Sequence, residues 1–100
     1  KYPPARHPVI RTHPETGERS IYTNQPFVSH IEGISPERSQ EILRILRQAM
    51  LNPSIQCRVQ WEVDTIVMWD NRVVQHQASN DFYPQTRHVE RVTIIGDKPF

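Results

Sequence analysis

Between residues 36 and 50 the apolar positions return at intervals of three and four. Ile42, Ile45, Leu46, Ala49 and Met50 fall on one side of a helix, while Arg38, Glu41, Arg44 and Gln48 lie elsewhere, toward water. Ser35-Pro36 is a good start, because Ser caps the first free N–H groups and Pro loses nothing at the first helical position. Asn52-Pro53 ends the pattern. An amphipathic helix of this kind is expected to pack on a sheet; its polar face is not dominated by Lys and Arg, as a membrane-surface helix would be.

After the helix the period changes to two. Cys57, Val59 and Trp61 alternate with Arg58, Gln60 and Glu62, and Thr65 to Trp69 is a continuous β-prone run. Asp70-Asn71 reads as a turn, Arg72 to Gln77 as a strand, residues 79–86 as a polar loop with Pro84, and His88 to Ile95 as a last strand closed by Gly96-Asp97. Before the helix, residues 1–7 are proline-rich and expected to be extended. His7 to His13 and Arg19 to Thr23 read as two strands joined by the turn Pro14-Glu15-Thr16-Gly17, a hairpin. Strands, one helix, then strands give no strand–helix alternation, so a doubly wound parallel sheet is not expected. The fold class that fits is mostly β with a covering helix, an antiparallel sandwich or jelly roll.

Composition narrows this. The chain has 100 residues, of which 36% are hydrophobic, with 9 prolines. That allows one domain and no large private core. The 12 Lys and Arg balance 11 Asp and Glu to a net charge of +1, which gives no electrostatic case for nucleic acid. Cys57 is the only cysteine, so a disulfide framework is excluded and a reducing, cytoplasmic setting is the expectation. No apolar run reaches the length of a membrane span, and Lys1 to Arg6 lacks a signal-peptide core. The chain does not begin with Met, which suggests a processed, tagged or truncated chain.

The last third carries the candidate chemistry. His76 sits in the strand-like Val73-Val74-Gln75-His76-Gln77; alone, it is either a structural or surface histidine or a metal ligand. Arg87 and Arg91 share one face if their segment is a strand, with Cα atoms about 13 Å apart. Two such guanidinium forks suit two separate anions. A solvated face explains them too, since alternation along His88–Ile95 does not settle which side is buried.

Taken in order, three segments resemble the taurine dioxygenase family, whose members are iron(II)- and 2-oxoglutarate-dependent and include alkylsulfatases. They are Trp69-Asp70-Asn71-Arg72-Val73-Val74-Gln75-His76, then Tyr83-Pro84-Gln85-Thr86-Arg87, then Arg91 to Phe100. His7 to Gly17 resembles a further family segment, so the likeness covers nearly the whole chain. The resemblance implies a double-stranded β-helix, a jelly-roll variant. It implies Fe(II) as cofactor and 2-oxoglutarate as cosubstrate, with O2 and a small anionic organic substrate as partners. By the same resemblance His76 is the distal histidine of a 2-His-1-carboxylate triad and Arg87 pairs with the far carboxylate of 2-oxoglutarate. Arg91 holds a sulfonate or sulfate, Phe27 walls the substrate pocket, and Trp69 packs close to the metal. The implied reaction hydroxylates the carbon next to the sulfo group. It releases sulfite or sulfate plus an aldehyde, with succinate and CO2. Family members acting on carboxylates such as aryloxyacetates leave a second substrate class open. A non-catalytic jelly-roll binding module remains the reading from another class, and homo-oligomerisation is expected only by family analogy.

A triad needs a His-x-Asp or His-x-Glu element as well. His30-Ile31-Glu32 is the only one present, and it is rejected: in the family that pair lies upstream of the segment beginning at His7. Residues 1–100 are therefore expected to be the C-terminal part of one dioxygenase domain, with the proximal iron ligands elsewhere in the protein. On that expectation the isolated chain folds poorly and binds iron weakly.

Overall fold

The computed structural model describes residues 3–100; Lys1 and Tyr2, part of the segment expected to be extended, lie outside the described residues. The regular elements are β1 (Ile10–Thr12), β2 (Arg19–Ile21), α1 (Pro36–Met50) and a single 3-10 turn at Pro53–Ile55.

β1 and β2 form the expected hairpin, antiparallel with Ile10 opposite Ile21 and Thr12 opposite Arg19. The turn closes because Gly17 adopts φ 73°, a conformation open to glycine at no steric cost, and because the His13 N–H donates to the Glu18 carbonyl at 2.8 Å. Strand geometry sends Arg11 and His13 to one face, and both are buried. On the far edge of β1, the Thr12 N–H donates to the Phe100 carbonyl at 2.8 Å, which ties the end of the chain to the hairpin.

The helix begins where its sequence says it should. Ser35 is the N-cap, its Oγ accepting from the Arg38 N–H at 3.3 Å. Glu37 in the first turn and Arg47 in the last both complement the helix dipole. The inward face differs from the expected one. Ser39 is buried and Leu43, Leu46 and Met50 are half-buried, whereas Ile42, Ile45 and Ala49 are exposed. The reason is a specific polar anchor: the Ser39 Oγ accepts the Ile31 N–H at 2.8 Å, and this bond turns the Ser39–Leu43–Leu46–Met50 stripe inward.

The strands expected over 57–62, 65–69, 72–77 and 88–95 are not formed. These residues alternate correctly, but a strand also requires a neighbour for its backbone groups, and among the described residues none is supplied. Their apolar side chains stand in the open: Ile66 is 93% exposed and Ile95 97%. No apolar residue among those described is fully buried. The radius of gyration is 16.1 Å, against about 13 Å for a closed domain of this length. The architecture is thus mostly non-helical, one two-stranded sheet and one helix, and the full jelly roll is not formed within these residues. Among them no helix is long and apolar enough to cross a membrane.

Candidate active-site cleft

Two turns bring the first site residues together. In the turn after β2, the Asn24 carbonyl accepts from the N–H groups of Phe27 and Val28 at 3.0 and 2.9 Å. This projects Phe27, which is 85% exposed. In the second, the Asp70 carbonyl accepts from Val73 and Val74 at 3.2 and 2.9 Å, reversing the chain so that residues 71–76 run beside β2. Two bonds hold that alignment: Ser20 Oγ donates to the Arg72 carbonyl at 3.4 Å, and Gln75 Nε2 donates to the Thr23 carbonyl at 2.8 Å.

Between the two segments lies a cleft of about 370 Å³ whose walls include Phe27 and His76. The Trp69 ring lies against the His76 ring, centroids 4.7 Å apart at 49°. Trp69 Nε1 donates to Asn71 Oδ1 at 2.8 Å, so the indole is held at its polar end as well. Phe27 and His76, singled out from sequence, thus share one cavity.

Arg87 and Arg91 do not line it. Both are exposed, in the irregular segment that follows the turn at residues 81–84. Their neighbours His88 and Glu90 approach at 3.8 Å. His30 and Glu32 take separate partners, Ser29 at 3.0 Å and Arg6 at 3.0 Å.

Sequence reasoning missed a charged cluster beside the cleft. His13 Nδ1 accepts the backbone N–H groups of Glu15 and Thr16 at 3.1 and 3.2 Å. That acceptor role assigns the proton to Nε2, which donates to Asp70 Oδ2 at 3.1 Å. Arg72 grips the same carboxylate, Nη2 to Oδ2 at 2.8 Å and Nε to Oδ1 at 2.9 Å, and reaches Glu15 Oε1 through Nη1 at 3.0 Å. The Arg72 fork, then the Arg72 N–H, then His13 hold the Asp70 carboxyl well below the usual carboxylate range. In return Asp70, then Glu15, raise the Arg72 guanidinium above its ordinary value. The available signal was a histidine just before a Pro-Glu-Thr-Gly turn and an Asp-x-Arg spacing, neither specific alone.

An iron centre of the expected kind needs three donors. Among the described residues no three His, Cys, Asp or Glu side chains are placed to hold a metal ion together, and no carboxylate lines the cleft. Its imidazole fits a metal as one ligand; the rest of a ligand set is not supplied by these residues.

Comparison with known proteins places the chain among relatives. The family described as "Taurine catabolism dioxygenase TauD, TfdA family" matches residues 1–93. An alkylsulfatase of Acinetobacter baylyi is 40% identical over 91 residues, 91% of this chain and 28% of that protein. An alpha-ketoglutarate-dependent sulfate ester dioxygenase of Pseudomonas putida is 39% identical over 93% of the chain and 31% of its own length. An alpha-ketoglutarate-dependent sulfonate dioxygenase of Saccharomyces cerevisiae is 34% identical over 93% of the chain and 23% of its own length. The chain therefore spans between 23% and 31% of the length of these curated relatives. With a family match running from residue 1 to residue 93, the chain belongs to the taurine catabolism dioxygenase TauD, TfdA family.

Proposed function

We propose that this chain is the C-terminal part of an Fe(II)- and 2-oxoglutarate-dependent dioxygenase with a double-stranded β-helix fold, acting on a small sulfonate or sulfate ester. The observation that carries the reading is the cleft shared by His76 and Phe27 in a chain of this family. The names of the relatives, an alkylsulfatase, a sulfate ester dioxygenase and a sulfonate dioxygenase, support the sulfo substrate class.

In this reading His76 donates one imidazole to the iron, and Trp69 fixes the plane of that ring. Bound iron would supply the activation of O2 that side chains cannot. Phe27 gives the substrate an apolar wall and excludes water from its carbon chain. Arg87 and Arg91 act once their segment pairs as a strand, which sets them on one face. Arg87 then forks the far carboxylate of 2-oxoglutarate and Arg91 holds the sulfo oxygens. The exposed apolar residues of 63–68 and 92–95 are accounted for in the same way, as faces covered by the rest of the domain.

The test is a substrate panel. The holoenzyme is incubated with Fe(II), 2-oxoglutarate, O2 and a set of sulfonates, sulfate esters and aryloxyacetates, and succinate is quantified. Succinate that depends on a sulfonate or sulfate ester, with sulfite or sulfate released, is expected. Turnover of aryloxyacetates alone would overturn the sulfo assignment, and no succinate with any compound would overturn the dioxygenase reading.

A further inference from the structure

The most completely bonded cluster among the described residues lies beside the cleft, and Arg72 is its one member among the lining residues. His13, Glu15, Asp70 and Arg72 form a closed ring of contacts. It runs from the His13 imidazole to Asp70, through the Arg72 fork to Glu15, and back to His13 through the Glu15 N–H. Two of its members belong to the hairpin turn and two to the turn that leads into His76, 57 positions away along the chain. Asp70 is preceded by Trp69, whose ring lies 4.7 Å from that of His76. Arg72 opens the run that Gln75 pins to Thr23 immediately before His76. The segment carrying the imidazole is therefore clamped at both ends, and the charged ring is the clamp at its start.

We propose that His13, Glu15, Asp70 and Arg72 are positioning residues for His76, setting the turn that lays Trp69 against the His76 ring at the cleft. The inference rests on the reading of His76 as an iron ligand. Its chemistry is orientation at a distance: none of the four groups is hydrogen-bonded to His76, and Arg72 alone of the four also lines the cleft. Asp70 meets its partners through both carboxylate oxygens, so a neutral amide in its place surrenders half of the Arg72 fork and the fixed direction of the turn. Groups that orient a metal ligand commonly change metal affinity or activity about 10–100-fold when removed.

The experiment is an anaerobic Fe(II) titration of the apo form of the intact enzyme, with a thermal melt run alongside. Asp70→Asn is expected to weaken Fe(II) affinity about 10–100-fold. Its activity should recover as Fe(II) is raised, with KM for substrate unchanged at saturating metal. His13→Gln, whose amide N–H replaces Nε2 but not Nδ1, is expected to keep more of the affinity than Asp70→Asn despite a lower melting temperature. Should Asp70→Asn fail to fold, Glu15→Gln decides: its side chain is 73% exposed, and a measurable loss of Fe(II) affinity, at or below the lower end of the range of about 10–100-fold, is expected. Wild-type Fe(II) affinity in the variants, whatever their melting temperatures, would overturn the positioning role and leave the ligand reading standing. If His76→Ala itself keeps wild-type affinity, the ligand reading falls, and this inference with it.

Discussion

His13 offers a substitution series that separates two jobs of one ring. Its Nδ1 accepts two backbone N–H groups of the hairpin turn, and its Nε2 donates to Asp70. Leucine at this buried position fills similar space and supplies neither function. The N–H groups of Glu15 and Thr16 then lose their acceptor. A typical intramolecular hydrogen bond contributes about 0.5–1.5 kcal/mol net, so two place the cost of His13→Leu at about 1–3 kcal/mol, before any loss at Asp70. Asparagine is the informative comparison. Its Oδ1 occupies the place of Nδ1, accepts the same N–H groups as in an Asx turn, and falls short of Asp70. His13→Asn should therefore recover about 1–2 kcal/mol relative to His13→Leu. Urea unfolding of the intact enzyme, comparing midpoints at constant slope, reads the difference. Equal destabilisation by Asn and Leu would refute the assignment of Nδ1 as the acceptor, and with it the tautomer deduced for His13.

Other expectations follow from single contacts. Ser35→Ala removes the cap of α1 and should cost about 1 kcal/mol in the same unfolding assay, with Ser35→Asp restoring it. The depressed Asp70 carboxyl makes a signed pH prediction. Its stabilisation is fully present above the ordinary carboxylate range, near 3.9, and is lost as pH falls through that range toward the lower folded value. The stability gap between wild type and Asp70→Asn should thus be constant from about pH 8 to about pH 5 and shrink below about pH 4; a gap that widens on acidification would contradict it. Phe27→Ala should leave the melting temperature unchanged, because the ring is 85% exposed, and should raise KM for a sulfo substrate about tenfold through lost apolar contact. Residues 1–100 alone should show no cooperative thermal transition, since no apolar side chain among those described is fully buried.

What the sequence disclosed was mostly local. Ser35-Pro36 and Asn52-Pro53 act on their own neighbours, so the limits of α1 could be read directly. The same holds for the hairpin, whose turn needs only Gly17 and the residues beside it. The helix face could not be read this way. Two apolar stripes compete on α1, and the choice between Ile42–Ile45 and Leu43–Leu46–Met50 depends on a bond from Ile31, outside the helix. The later strands show the same limit more strongly. Alternation at Cys57–Glu62 and His88–Ile95 encodes a two-faced backbone, but pairing is a property of two segments, and these have no partner among the described residues. At the site, Phe27 and His76 were named from resemblance and share a cleft, whereas Arg87 and Arg91 lie outside it. The His13–Asp70–Arg72 cluster escaped notice because its parts are 57 residues apart and ordinary individually.

His76 is the residue on which the dioxygenase assignment rests. The most direct measurement is succinate formation by wild type and His76→Ala, side by side, with Fe(II), 2-oxoglutarate, O2 and a sulfo substrate that the wild type turns over. An iron-binding His76 requires substrate-dependent succinate from the wild type and none above background from His76→Ala. Wild-type turnover by His76→Ala would contradict it.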